Sequence, residues 1–275
     1  MRYGQYSSSR DESRYLTERP IAITRPSPVE QELVGIQQAP EQAFQALLRR
    51  TGLLQVLLGK FAFVRTGRPA DGGEKDLHDP LLVLRELLQD LDWNAPDWIV
   101  VPAGNLGNTS AFGKALREAF DAGWIATMPR LASIQASGAN PFYRSYRDGF
   151  TERHRIAAET IASAIRIGDP VSHAKAVTAI QLTNGIVEQV TDEELMQAKR
   201  EIDEIGIGCE PASATTLAGV KKLHAAGVMK EGERVVCVLT GHLLKDTDAI
   251  LRNVPAERTI EIDATIEAVE RAISC

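Results

Sequence analysis

The chain contains few cysteines, and they are widely spaced. Cys209, Cys237 and Cys275 are odd in number and form no CxxC pair. Their spacing excludes the common zinc-binding patterns and is typical of proteins in a reducing cytosol. Residues 1–14 also lack the apolar core of a secretory signal, so we expect a cytoplasmic protein.

The chain also lacks an excess of positive charge and long apolar runs. Its formal net charge is −6, and acidic and basic residues are interspersed. This distribution predicts neither a nucleic-acid partner nor a membrane partner. No apolar run is long enough to span a bilayer.

Common catalytic signatures are absent from the sequence. There is no GxSxG motif, no Walker loop and no GxGxxG pattern. His78, His154, His173 and His224 have no partners at metal-ligand spacing. We therefore expect these four histidines at the surface, and we predict no metal site.

The first 80 residues give weak structural signals. Residues 1–41 are rich in Ser, Arg, Gln, Glu and Pro, which predicts disorder or loose attachment. Residues 43–64 favour a helix followed by a strand, and residues 65–80 favour a loop. Residues 1–80 are therefore interpreted as a poorly defined N-terminal region.

From residue 81 onward, helical and strand signals alternate. Apolar spacing predicts helices over residues 81–91, 111–120, 156–164, 172–183, 192–204, 213–226 and from 265, with helix and loop over 140–150. Apolar runs predict strands over residues 98–101, 131–135, 185–190, 234–239 and 259–262. Thr191 and Glu194 have the spacing of a capping box. Residues 81–275 are therefore predicted to form one α/β domain with an open, mostly parallel sheet flanked by helices.

A glycine-containing loop follows the predicted strand over residues 98–101. It consists of Gly104, Asn105, Leu106, Gly107 and Asn108, and it precedes a predicted helix. Glycine permits close approach of a ligand, and the free N–H groups of the helix would point at the loop. This arrangement suits a phosphate group. An ordinary strand-to-helix turn is the alternative when the loop is considered alone.

Two further groups of candidate site residues lie next to predicted elements, one after a strand and one at the start of a helix. Thr240 follows a buried strand, at the position where open α/β sheets bind ligands. His242, two residues on, is interpreted as a capping or packing residue. Glu210 and Ser213 lie at the start of a predicted helix and either approach the site or cap that helix. Cys209 is predicted to be a buried apolar residue rather than a nucleophile.

Taken in order, these motifs resemble the C-terminal half of threonine synthases. The matching stretches are residues 96–116, 129–146, 164–172, 185–195, 206–214 and 235–246. The resemblance implies the fold of the tryptophan-synthase β-subunit family, also called fold-type II. It also implies pyridoxal 5'-phosphate as cofactor, and conversion of O-phosphohomoserine and water to threonine and phosphate. The substrate would then be a small phosphorylated amino acid.

The same resemblance implies roles for individual residues. The backbone of Gly104, Asn105, Leu106, Gly107 and Asn108 would hold the cofactor phosphate. Thr240 would bond to the pyridine nitrogen, and this neutral hydroxyl partner would leave the ring less electron-demanding than an aspartate would. Glu210 and Ser213 would be neighbours of the ring.

One part of the family pattern has no counterpart in this chain. The family's Schiff-base lysine lies in a Ser-Phe-Lys-Asp-type segment, and neither Lys75 nor Lys245 has matching flanks. The catalytic lysine is therefore unassigned. Codons for residues 72–79 read one nucleotide later can spell a stretch similar to the family's. Part of the N-terminal third is therefore interpreted as an out-of-frame or mis-predicted translation, and the chain as a threonine synthase truncated or damaged on its N-terminal side.

Three functional readings stay open at this point. The first is a threonine synthase-like lyase. The second is a catalytically silent half-domain that binds the cofactor or a partner chain, and the third is another fold-type II enzyme such as a serine or threonine dehydratase. A homo-oligomer is compatible with each of them.

Overall fold

Five parallel strands form the central sheet. The protein is represented by a computed structural model, which describes residues 21–24, 61–65, 80–252, 259–263 and 265–273. The strands are β2 (Phe61–Arg65), β3 (Trp98–Pro102), β4 (Arg130–Ala136), β5 (Ile186–Val190) and β6 (Val235–Leu239). They lie in the order β2-β6-β3-β4-β5, and every pairing is parallel. The predicted open parallel sheet is therefore confirmed.

The remaining described elements include eight α-helices and a separate two-stranded sheet. The helices are α1 (Pro80–Asp90), α2 (Gly107–Asp121), α3 (Pro141–Arg147), α4 (His173–Leu182), α5 (Asp192–Glu204), α6 (Pro211–Ala225), α7 (Thr247–Arg252) and α8 (Ile266–Ile273). Strands β1 (Ile21–Thr24) and β7 (Thr259–Ile262) pair with each other as a separate antiparallel sheet. None of the described helices has the length and apolar content that a membrane span requires.

Helices cover both faces of the sheet. Trp98 and Val100 of β3 pack into the cluster that contains buried residues of α5 and α6. Ile99 and Val101 point the other way and pack against α1, α2 and α4. Because successive strand residues alternate between faces, a strand covered on both sides is apolar throughout. This explains the apolar runs from which the strands were predicted.

Most predicted elements are confirmed, with small shifts at their ends. The capping box at the start of α5 is present: the Glu194 N–H donates to Thr191 Oγ1 (3.2 Å), and the Thr191 N–H donates to Glu194 Oε2 (2.7 Å). Helix α2 begins at Gly107, four residues before the predicted start at residue 111. The helix predicted at the start of residues 43–64 lies outside the described residues, and the strand predicted at their end corresponds to β2.

The predicted helix over residues 156–164 is wrong. The segment is irregular until a short 3₁₀ turn at Ser163–Ile165. Its backbone bonds to neighbouring loops instead, since the Glu159 N–H donates to the Gly138 carbonyl at 2.8 Å. A Cβ at Gly138 would lie 1.9 Å from the Glu159 carbonyl oxygen. The glycine therefore permits a tertiary contact that local helical spacing does not reveal.

The path of the chain reverses beside β3. Strands β3, β4 and β5 follow one another towards one edge, and the chain then returns to place β6 on the other side of β3. A crevice forms at such a reversal, outside the carboxyl ends of the two strands, and open α/β sheets bind ligands there. The glycine-containing loop follows β3 and Thr240 follows β6, so the topology brings two predicted site segments to one crevice.

Candidate cofactor site

The loop after β3 makes its sharp turn at Leu106. This residue is the N-cap of α2 and has φ of 64°, in the left-handed region that only a few per cent of non-glycine residues adopt. Its side chain is buried in the core. Neither Gly104 nor Gly107 has positive φ, so the left-handed turn lies at Leu106 and not at a glycine. Burial of the Leu106 side chain holds the strained backbone instead.

The two glycines of the loop have different surroundings. A Cβ at Gly104 would lie 2.9 Å from both the Ala164 carbonyl oxygen and Ile165 Cα. Gly104 is therefore needed for close packing against the 3₁₀ turn. A Cβ at Gly107 would meet nothing within 4 Å. The space beside Gly107, at the exposed first turn of α2, is open to a ligand.

The first turn of α2 supplies the hydrogen-bond donors. The N–H groups of Leu106, Gly107, Asn108 and Thr109 precede the first intrahelical bond, which the Ser110 N–H makes to the Leu106 carbonyl. Gly107 and Asn108 are exposed. A 15-residue helix also concentrates partial positive charge at this end. The arrangement suits an anion such as a phosphate.

Asn105 fixes the loop in place rather than facing the open space. Its Oδ1 accepts from the Val171 N–H (2.8 Å), and its backbone carbonyl accepts from the Ser172 N–H (3.2 Å). Ser172 is the N-cap of α4. The side chain of Asn105 therefore attaches the loop to the start of α4.

On the β6 side, Ser213 binds the turn that contains Thr240. Its Oγ accepts from the Thr240 N–H (3.0 Å) and the Gly241 N–H (3.1 Å). It also lies 3.3 Å from Thr240 Oγ1. Ser213 therefore joins the first turn of α6 to the end of β6. The alternative that Ser213 caps its own helix is wrong.

Glu210 is the buried acidic residue at this crevice. It is the N-cap of α6 by position, but its side chain makes no capping hydrogen bond. Its Oε1 accepts from Thr240 Oγ1 at 3.4 Å, and the residue is 2% exposed. Its Oε2 has no hydrogen-bond partner among the described residues. The Lys245 ammonium lies 3.6 Å away, beyond a normal hydrogen bond.

Gln135 is a structural residue that the sequence does not single out. Its Oε1 accepts from the N–H groups of Phe142 and Tyr143 (both 2.9 Å), and its Nε2 donates to the Ala103 carbonyl (3.1 Å). Buried on β4, it joins the start of α3 to the residue that precedes Gly104. The sequence feature that could have indicated this role is a glutamine within an otherwise apolar predicted strand.

The histidine and cysteine predictions have mixed outcomes. His173 is buried, and its ring Nε2 lies 3.1 Å from Ser145 Oγ, so its predicted surface position is wrong. His242 Nδ1 accepts from the Leu244 N–H (3.1 Å) within a turn, so this exposed residue does not, as was predicted, cap a helix or pack in the core. Burial raises the pKa of the Cys209 thiol to about 12, so Cys209 is an inert core residue, as predicted. His78 lies outside the described residues.

Comparison with protein families identifies the family of the chain. The family described as "Pyridoxal-phosphate dependent enzyme" matches residues 82–241, which include both segments of the crevice. The chain belongs to this family of pyridoxal-phosphate-dependent enzymes. Pyridoxal phosphate carries a phosphate and a pyridine ring, so its site needs an anion cradle and a polar partner for the ring nitrogen.

The chain is also similar to individual threonine synthases. It is 42% identical to the enzyme from Methanosarcina acetivorans over 192 residues, which are 68% of this chain and 46% of the relative. It is 44% identical to threonine synthase 2, chloroplastic, from Arabidopsis thaliana over 166 residues, which are 60% of this chain and 32% of the relative. The chain thus spans less than half of the length of these relatives.

Solved structures share the fold at low sequence identity. Threonine synthase from Escherichia coli superposes with a TM-score of 0.51 at 21% identity, over 70% of this chain and 43% of that one. A fungal L-serine ammonia-lyase from Rhizomucor miehei gives 0.52 at 20% identity, over 65% and 57% of the two chains. These similarities support the open α/β fold.

The residues of the crevice fit the cofactor of the family. The open space beside Gly107 lies at the α2 N-terminus, where the first four N–H groups have no partner within the helix. Thr240 offers a hydroxyl at the end of the neighbouring strand, and Glu210 adds a buried carboxylate behind it. The described residues therefore include N–H groups suited to a phosphate and a hydroxyl suited to a ring nitrogen.

Proposed function

We propose that the chain provides the cofactor-binding half of a threonine synthase-like lyase. Such an enzyme converts O-phosphohomoserine and water to threonine and inorganic phosphate, using pyridoxal phosphate. The observation that carries the proposal is the pairing of an open helix N-terminus at Gly107 with the Thr240 hydroxyl at one topological switch point. The 41–44% identity to threonine synthases favours this activity within the family.

In this proposal, each segment of the crevice has a defined task. The N–H groups of Leu106, Gly107, Asn108 and Thr109 bind the cofactor phosphate. Asn105 and Gly104 hold that loop against the start of α4 and the 3₁₀ turn. Thr240 binds the ring nitrogen, and Ser213 holds Thr240 in place. When bound, the cofactor acts as an electron sink that stabilises negative charge on substrate carbon atoms.

A second candidate function is a catalytically silent cofactor-binding half-domain. The chain spans 46% of the Methanosarcina relative, and no segment matches the family's Schiff-base lysine. Among the described residues, Lys245 is the lysine that contacts the crevice, through Glu210. A chain without a correctly placed lysine would bind the cofactor through its phosphate and ring but would not turn over substrate.

One experiment separates these candidates. The purified chain is titrated with pyridoxal phosphate, its absorbance is recorded before and after borohydride reduction, and the product is mapped by mass spectrometry. O-phosphohomoserine is then added and threonine is measured. Equal release of threonine and phosphate, with one reduced lysine adduct, supports the lyase. Saturable binding without adduct or turnover supports the silent half-domain, and failure to bind the cofactor contradicts both.

The proposal also covers the cellular compartment and the oligomeric state of the protein. Two buried free thiols, Cys209 and Cys237, favour a cytoplasmic protein, although one plant relative is named as chloroplastic. We favour a homo-oligomer with a small-molecule substrate and no nucleic-acid or membrane partner. Sedimentation of the chain with and without pyridoxal phosphate measures its oligomeric state.

A further inference from the structure

A cavity of about 540 Å³ lies next to the 3₁₀ turn Ser163–Ile165. Ser163 forms part of the cavity wall, and the next two residues of the turn lie against Gly104 of the glycine-containing loop. The segment before the turn, the first residue of α5 and the start of α7 complete the wall. Small-molecule sites in proteins usually have volumes of about 300–1,000 Å³, so this cavity is large enough for a ligand.

Two of the four acidic residues at the cavity hold its wall together. Asp192 accepts hydrogen bonds from the Thr160 hydroxyl (2.5 Å) and from the Ile161 N–H (3.0 Å). Asp246 accepts from the N–H of Ser163 (2.9 Å) with one oxygen and from its hydroxyl with the other. Each of these four carboxylate oxygens therefore already has a donor from the protein, which gives both acids a structural role.

Three other charged side chains at the cavity are available to a ligand. Arg166 Nε donates to the Thr160 carbonyl (2.8 Å), which orients the guanidinium, but neither Nη group has a partner among the described residues. The carboxylates of Glu159 and Asp248 likewise have no partner in the described part of the chain. The cavity therefore offers one cationic group and two anionic groups that the protein itself does not pair.

A ligand that matches these groups carries one carboxylate and two ammonium groups. A guanidinium binds a carboxylate with two parallel hydrogen bonds, and ionised carboxylates only accept hydrogen bonds, which ammonium groups donate. We propose that the cavity binds a free α-amino acid with an amino group in its side chain, such as ornithine or lysine. Arg166 binds the carboxylate of this ligand, and Glu159 and Asp248 bind its ammonium groups.

The 3₁₀ turn couples this cavity to the glycine-containing loop. A Cβ at Gly104 would lie 2.9 Å from both the Ala164 carbonyl oxygen and Ile165 Cα, so the loop packs directly on the turn. A ligand that holds Ser163 and its neighbours in place therefore favours the observed position of the loop. The coupling rests on the proposed function, since that function places the cofactor phosphate at this loop. Coupling between two binding sites is reciprocal.

Calorimetric titration of the full chain with L-ornithine and L-lysine, without pyridoxal phosphate, tests the site. Putrescine is ornithine without its carboxylate, and L-norvaline is ornithine without its side-chain amino group. We expect saturable binding of L-ornithine and an affinity about fivefold weaker for each analogue, because each analogue loses one ion pair. Absence of saturable binding of both amino acids, or equal affinity for ornithine and its two analogues, overturns the proposal.

Substitutions at the cavity assign the contacts. Arg166→Gln should weaken the binding of L-ornithine about fivefold and leave that of putrescine unchanged. Asp248→Asn should weaken the binding of both. Arg117→Gln removes an exposed cation of α2 that does not line the cavity, and it is the matched control with no expected effect. Circular dichroism shows whether each variant is folded. Equal weakening of ornithine and putrescine in a folded Arg166→Gln variant overturns the contact of Arg166 with the carboxylate.

Pyridoxine 5'-phosphate measures the coupling, since it has the phosphate and the ring but no aldehyde that could react with amino groups. Its affinity should increase about fivefold in saturating L-ornithine. Equal affinity with and without L-ornithine overturns the coupling but not the site. Binding of L-ornithine by a chain that binds neither pyridoxine 5'-phosphate nor pyridoxal phosphate overturns the proposed function and supports the cavity as a separate site.

Discussion

Single residues of the crevice are distinguished by the space around them. Gly104 and Gly107 are three positions apart, yet a side chain would clash at the first and not at the second. Gly104 faces the backbone of Ala164 and Ile165, which cannot rotate away as a flexible side chain could. The same substitution should therefore have opposite consequences for stability at the two positions.

Gly104→Ala is predicted to destabilise the fold by about 1–3 kcal/mol, the usual cost of inserting atoms into a packed region. Gly107→Ala is the matched control, and its stability should be unchanged or slightly higher because alanine is the better helix former. Urea unfolding followed by circular dichroism measures both. Equal stability of Gly104→Ala and the unsubstituted chain would show that the 3₁₀ turn moves freely.

Cys209 and Cys237 are predicted to resist thiol reagents in the native protein. Burial raises the pKa of each thiol to about 12, so both stay protonated at pH 8, and the thiolate is the reactive form. Iodoacetamide labelling at pH 8, read by peptide mass spectrometry, should modify them only after unfolding in urea. Rapid labelling of either cysteine without denaturant would contradict the buried core around β6 and α6.

The sequence indicates which residues reach the crevice but not how they bond. Gly107 and Thr240 follow predicted strands, so their positions could be predicted from the sequence. The contacts of the Thr240 hydroxyl could not, because they involve Ser213 and Glu210 from a different element. The positive φ at Leu106 also could not, since burial of its side chain enforces it.

At the scale of elements, Gln135 connects three parts of the α/β layer. It lies on β4 and bonds to the residue after β3 and to two N–H groups in the first turn of α3. Each of these backbone groups would lose its partner if the side chain were removed. A buried polar group without a partner costs about 1–3 kcal/mol.

Gln135→Ala is therefore predicted to reduce the free energy of unfolding by at least about 2 kcal/mol. Gln197→Ala, at an exposed position on α5, is the matched control and should change it by less than about 0.5 kcal/mol. Equilibrium denaturation at pH 7.5 compares the two. A change at position 135 no larger than the control would mean that water replaces the lost hydrogen bonds.

Local sequence patterns predict helices and strands correctly where apolar and capping residues have the regular spacing of the element. Helix α5 was predicted from the capping box of Thr191 and Glu194, and the structure contains both bonds. The segment over residues 156–164 has helical spacing but bonds to Gly138 and Gly168 instead. Such contacts lie between residues distant in the chain, so local patterns do not predict them.

At the scale of the whole molecule, stability should depend on pH through His173. Burial lowers the pKa of His173 below its ordinary value of 6.5, and the charge of Arg153 lowers it further, while Asp169 and Asp148 oppose these effects. As the pH falls, His173 therefore becomes protonated near pH 6.5 in the unfolded chain but only at a lower pH in the folded chain. The contribution of His173 to the free energy of unfolding is fully present above pH 6.5 and decreases as the pH falls below this value.

Unfolding free energies measured from pH 7.5 to pH 5.5 check this sign. The unsubstituted chain should lose stability as the pH falls, and His173→Gln should lose less over the same interval. His242→Gln, at an exposed position, should retain the original slope. A steeper loss in His173→Gln than in the original chain would contradict the assignment.

The fold as a whole brings the two segments that we propose to bind the cofactor to one crevice. The strand order reverses between β3 and β6, and the N-terminus of α2 and the Thr240 turn follow these two strands. The central claim is that backbone N–H groups beside Gly107 bind the phosphate of pyridoxal phosphate. Any side chain placed beside them should therefore compete with the ligand for the open space.

Isothermal titration calorimetry of pyridoxal phosphate tests this claim most directly. We expect saturable binding to the unsubstituted chain, competition by inorganic phosphate, and affinity at least about tenfold weaker in Gly107→Ala, equivalent to about 1.4 kcal/mol. Asn108→Ala retains the same backbone donors and should bind as the original chain does. Equal affinity of Gly107→Ala and the original chain would contradict the phosphate site at the α2 N-terminus.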